Sequence, residues 1–75
     1  WLHYLGRELY YERRYRSALA ALEAHASRRD AYLNERSQSL CFAGECLERL
    51  GDVAAAEDAF TRAAVLDGTW RTPWL

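Results

Sequence analysis

The stretch Leu50-Gly51-Asp52-Val53 limits what this chain can fold into more than any other. Gly51 can take the left-handed conformation that closes a helix, at no steric cost. Asp52 can cap the next helix, because its carboxylate accepts from the first free backbone N–H groups. Ala56, Phe60 and Ala63 follow at the i, i+4 and i+7 spacing of one helix face. One helix therefore ends at Leu50 and another begins at Val53. These two apolar residues are expected to pack under the turn. The reading is a helix-turn-helix hairpin, and the remainder of the sequence is arranged around it.

The same periodicity places a first helix at 1–12, with Leu2, Leu5 and Leu9 as its stripe and Trp1 and Tyr4 beside it. Gly6 interrupts it. An interior glycine costs about 1 kcal/mol against alanine, so close approach of a second helix is expected there. A second helix is expected at 15–28, carrying Tyr15, Ala18, Leu19, Leu22 and Ala26. Asn34 is the expected N-cap of a third helix at 35–50, with Leu40, Phe42, Ala43, Leu47 and Leu50. The fourth runs over 53–66 and stops at Asp67-Gly68. Thr72-Pro73-Trp74-Leu75 reads as an N-cap and first turn, the opening of a fifth helix.

The two halves match at a shift of 38. Leu2 falls on Leu40, Gly6 on Gly44, Leu9 on Leu47, Tyr15 on Val53, Ala18 on Ala56, Ala21 on Ala59, Leu22 on Phe60 and Ala26 on Ala64. Small residues fall on small ones, as two closely packed antiparallel helices require. The fold expected is all-α: two antiparallel helix hairpins stacked as a superhelical fragment, and the start of a third. Repeat 1 covers about 1–29, a linker 30–34, and repeat 2 about 35–67.

In these residues the sequence resembles the tetratricopeptide repeat. Gly44, Leu47, Leu50-Gly51-Asp52, Ala56, Phe60 and Ala63 carry that pattern almost in full. The first unit is looser, with His25 where the pattern prefers alanine. The period of 38 exceeds the family's usual one, so extra residues are expected around Arg29–Asn34. The order Tyr4-Leu5, Glu8-Leu9-Tyr10-Tyr11, Tyr32-Leu33-Asn34-Glu35-Arg36, Gly44-Glu45-Cys46-Leu47 and Trp70-Arg71-Thr72-Pro73-Trp74 is also similar to the repeat region that follows the catalytic domain of bacterial family 2 glycosyltransferases. That resemblance implies a missing nucleotide-sugar-binding α/β domain with an Asp-x-Asp motif. No Asp-x-Asp occurs in this sequence, so no catalytic residue carries over.

Composition narrows the function. A chain of 75 residues makes one small domain, and 13 of its apolar residues are alanine, so its core is thin. A net charge of −1 leaves no basic field for nucleic acid. All ten basic residues are arginine, which fits GC-rich coding. No apolar run approaches the ~20 residues of a membrane span, and none of the residues given reads as a signal peptide, so no leader is expected. Cys41 and Cys46 lie about 140° apart around a helix, too far to bridge. They are read as buried thiols of a reducing, cytoplasmic compartment. The chain begins with Trp1, not methionine, and is expected to be a piece of something longer.

No catalytic constellation emerges. His3 and His25 are the only histidines, and no Cys/His spacing matches a zinc site. Neither metal nor cofactor is expected, and His25 reads as structural. Glu45 and Glu48 read as a solvated helix face beside Arg49. Arg13, Arg14 and Arg16 read as a solvated turn. In the family resembled, the first helix of each repeat lines a concave face. Its positions here are His3, Arg7, Tyr10, Tyr11 and Arg14, then Gln38, Cys41, Glu45, Glu48 and Arg49. Tyrosine and arginine form binding hot spots, and the mixture of charges suits an extended peptide. The Lys/Asn clamp of the chaperone-tail-binding members is absent: His3 and Arg7 stand at its positions. The expected function is a non-catalytic interaction or self-association module of a larger protein. Its exposed ends would be Trp1, Trp70, Trp74 and Leu75. The acceptor-binding part of a glycosyltransferase and a free-standing adaptor are the alternatives.

Overall fold

The computed structural model describes residues 2–66. Four helices follow one another: α1 (Leu2–Tyr11), α2 (Tyr15–Ala26), α3 (Leu33–Arg49) and α4 (Val53–Leu66). There is no strand among the described residues. α1 packs on α2, and α3 on α4, as two antiparallel hairpins; α2 packs on α3, and α1 touches α3 more lightly. Trp1, the stop at Asp67-Gly68 and the helix start at Thr72–Leu75 lie outside the described residues.

The second turn forms as its residues dictate. Gly51 has φ of 89°. Its N–H donates to the Glu48 carbonyl at 3.0 Å, and the Asp52 N–H donates to the Leu47 carbonyl at 2.9 Å. This pair of bonds is the Schellman closure, which satisfies carbonyls the helix end leaves open. Asp52 then caps α4 by accepting from the Ala55 N–H at 3.1 Å. The first turn repeats the closure without the glycine. Arg13 has φ of 65°; its N–H donates to Tyr10 and the Arg14 N–H to Leu9, each at 2.9 Å. Arg14 precedes α2 and supplies no side-chain cap. The backbone thus makes one geometry twice, 38 residues apart, and only the second copy has the residues suited to it.

Leu50 and Val53 do not pack under that turn. They are 36% and 61% exposed. The closure is carried by backbone hydrogen bonds and the Asp52 cap, so it needs no apolar plug. α3 begins at Leu33, two residues before the expected start at 35, with Tyr32 as its extended N-cap residue. The Arg36 N–H already donates to the Tyr32 carbonyl at 2.9 Å. Asn34 therefore lies within the first turn and is no cap. Arg36 Nε also donates to the Ala26 carbonyl at 2.9 Å, tying the start of α3 to the end of α2. The second helix ends at Ala26, two residues earlier than its periodicity suggests.

The core is small side chains with a few large ones seated among them. Ala18, Leu22, Ala43 and Cys46 form one buried cluster; Ala26, Leu40 and Ala63 form another. Gly6, Ala18, Gly44 and Ala56 are all buried, as the doubled pattern requires. The partners of the glycines are the large residues. A Cβ on Gly6 would stand 2.5 Å from Leu22 Cγ, and one on Gly44 would stand 2.7 Å from Phe60 Cε1. Each glycine is a pit for the side chain 16 positions later. Two serines are buried with the core. Ser37 Oγ donates to the Ala63 carbonyl at 3.1 Å, and Ser39 Oγ meets His25 Nδ1 at 2.7 Å.

Two predictions follow from this packing. In Gly6→Ala the methyl group meets Leu22, which is fully buried. Overpacking of about 1–3 kcal/mol then exceeds the helix-propensity gain of about 1 kcal/mol. The Phe60 ring is only half-buried and can swing aside, so Gly44→Ala should be close to neutral. Urea unfolding should show Gly6→Ala less stable than Gly44→Ala by about 1 kcal/mol, with the lower midpoint. In the other direction, Arg13→Gly with Arg14→Asp gives the first turn the chemistry of the second. That double variant should gain about 1–2 kcal/mol in the same measurement.

Candidate functional site

The face expected from the first helices of the two repeats divides in two. Tyr11, Arg14, Gln38, Glu48 and Arg49 are exposed, Tyr11 to 66%. Arg14 lies 4.0 Å from Glu12, an exposed ion pair that contributes little. His3, Arg7, Tyr10, Cys41 and Glu45 are half-buried. These five turn towards neighbours within the chain, Cys41 against the cluster of Ala26, Leu40 and Ala63.

Tyr10 is the centre of this inner half. Its hydroxyl donates to Glu45 Oε1 at 2.9 Å, a bond between α1 and α3. Its ring meets Tyr11, Tyr15 and Phe42 edge-on at 5.5, 5.8 and 5.4 Å, the arrangement that ring quadrupoles favour. Arg7 lies over the Phe42 ring with its guanidinium carbon 5.6 Å from the centroid, a cation–π contact. Arg7 Nε is buried and meets no hydrogen-bond partner among the described residues. Glu45 is therefore not one of a solvated pair with Glu48. It is the acceptor that holds α1 against α3, and neither glutamate forms an ion pair with Arg49.

A second cluster lies at the other end of α1. The His3 ring stands 4.8 Å from that of His25 and 4.3 Å from that of Tyr4. His25 is buried and held by Ser39. Burial pushes the His25 imidazole below its ordinary value, with the charge of His3 acting the same way and Glu35 opposing. Glu35 approaches from the first turn of α3. Helix periodicity could not reveal this meeting, because its three members come from three helices.

Cys46 is fully buried, and burial, with Glu45 nearby, raises its thiol to about 11. It is a core residue without nucleophilic character. Cys41 is only half-buried, which corrects the expectation of two buried thiols. An open groove of about 410 Å³ lies between the first half of α3 and the last turns of α4. Ala26, Leu33, Leu40, Val65 and Leu66 form its apolar floor, with Arg36 and Arg62 at its edge.

No family model, curated protein or solved structure matches the chain. No helix among the described residues is long and apolar enough to cross a membrane.

The Tyr10–Glu45 bond gives a pH-dependent prediction. The carboxylate accepting its proton holds the Tyr10 phenol above its usual 10.0, burial adds to the shift, and Arg49 opposes it. A group raised on folding contributes stability that is complete below the unfolded value and disappears as pH climbs through the folded one. Tyr10→Phe should cost about 1 kcal/mol at pH 7. The gap between wild type and variant should close above pH 10. Urea unfolding of both proteins across that range checks it.

Proposed function

We propose that this chain is a non-catalytic helical-repeat module of the tetratricopeptide kind, which binds a protein segment or a second copy of itself and works within a larger protein. The groove between α3 and α4 carries this reading. Leu33 and Val65 are 55% and 80% exposed there, and a solenoid covers such a surface with its next helix. An apolar floor edged by Arg36 and Arg62 suits an amphipathic helix with acidic flanks. The exposed Tyr11, Arg14, Gln38, Glu48 and Arg49 offer a second, more polar contact for an extended peptide. The recurrence of the glycine pit and of the turn closure at the same spacing supports the repeat reading.

The sequence resemblance to repeats that follow family 2 glycosyltransferase domains supports a parent enzyme, in which this segment would receive the acceptor protein. The full-length open reading frame tests that part. An upstream α/β domain with an Asp-x-Asp motif supports it, and any other upstream domain removes it. In either case the isolated chain should turn over no nucleotide sugar.

The module itself is tested by sedimentation velocity over a range of protein concentration. The wild-type chain should associate, and Leu33→Glu with Val65→Glu should remain monomeric while keeping its helical circular dichroism. A wild-type chain that stays monomeric at the highest concentration argues against self-association through this groove.

A further inference from the structure

We propose that His3, His25 and Glu35 together bind a divalent transition-metal ion, zinc by the chemistry of the donors, and that the ion staples α1 to α2 and α3. One possible ligand atom from each residue lies within 4.8 Å of the other two. Nδ1 of His3 is buried and meets no hydrogen-bond partner among the described residues. A buried polar atom left in that state is costly unless something coordinates it. His25 has the complementary arrangement. Ser39 Oγ meets its Nδ1 at 2.7 Å; in the tautomer with the proton on Nδ1, that N–H donates to Ser39 and Nε2 keeps its lone pair for a metal. Histidine ligands of metals are commonly oriented in this way through the opposite ring nitrogen.

The donor set selects the ion. Two imidazoles and one carboxylate suit zinc, whereas calcium and magnesium require oxygen ligands throughout. Around tetrahedral zinc the ligand atoms stand about 3.4 Å apart, given bonds of about 2.0–2.1 Å. The cluster must therefore contract by a little over 1 Å. Glu35 can supply that movement, because it is half-buried on a flexible stem in the first turn of α3. A cavity of about 180 Å³, lined by Arg28, Asp30 and Tyr32 beside His25 and Glu35, leaves space for water as the fourth ligand. The nearby cation, Arg28, is turned to Asp30 by contacts of 3.1 and 2.8 Å, which reduces its repulsion of an incoming ion.

The test uses the whole chain with its terminal amine acetylated, so that this amine is no ligand for a metal at His3. After chelator treatment, zinc is titrated by calorimetry and by thermal unfolding. One equivalent should bind, and saturating zinc should raise the unfolding temperature by about 10 °C. His3→Ala and Glu35→Gln should each weaken binding at least tenfold. Ser39→Ala should weaken it about tenfold by releasing the His25 ring. Cys41→Ala should bind as the wild type does. Cobalt in place of zinc should show d–d absorption without a thiolate charge-transfer band. Absence of saturable one-to-one binding overturns the proposal. So does wild-type affinity in His3→Ala and Glu35→Gln variants that retain their helical circular dichroism, or a thiolate band with cobalt.

Discussion

The fold depends on how closely two helices can approach at a glycine. Gly6 admits Leu22 and Gly44 admits Phe60, at distances that would force the facing side chain to move for a Cβ. A chain with so much alanine has few large side chains to bury, and each must be seated well. The glycine pit allows one leucine or one phenylalanine to fill the space between two backbones. The turn then fixes the register. In each hairpin the left-handed residue follows the glycine by seven positions, and the large residue follows it by nine more. A slip at the turn would move the knob off its pit.

With so small an apolar core, the contact between the two hairpins relies on polar and aromatic groups. Tyr10 on Glu45, Arg7 over Phe42 and His25 on Ser39 are each specific in direction. Such bonds contribute modest free energy, but an unsatisfied partner costs more, so they select one packing over near alternatives. They also explain why half of the expected binding face is taken up inside the molecule. Tyrosine and arginine do form contacts there, with the neighbouring helix as partner.

The two turns show how far backbone geometry can precede residue choice. Arg13 adopts the conformation that Gly51 takes freely. The hairpin imposes it, because Leu9 and Tyr10 must find donors for their last carbonyls and α2 must return along α1. Strain at one residue is tolerated where the surrounding packing leaves no other path.

The sequence by itself determined the four helices, the 38-residue repeat, the second turn and the burial of Gly6, Ala18, Gly44 and Ala56. These follow from helical periodicity and turn chemistry, which act between residues a few positions apart. Only the tertiary structure decided that Arg36 would start α3 early by reaching Ala26, that Glu45 would serve Tyr10, and that Leu50 and Val53 would face water. It alone brought His3, His25 and Glu35 together from three helices. Those outcomes depend on how each helix is rotated and crossed against the next. That angle is set by the sum of all the packed side chains, and no local stretch of sequence encodes it.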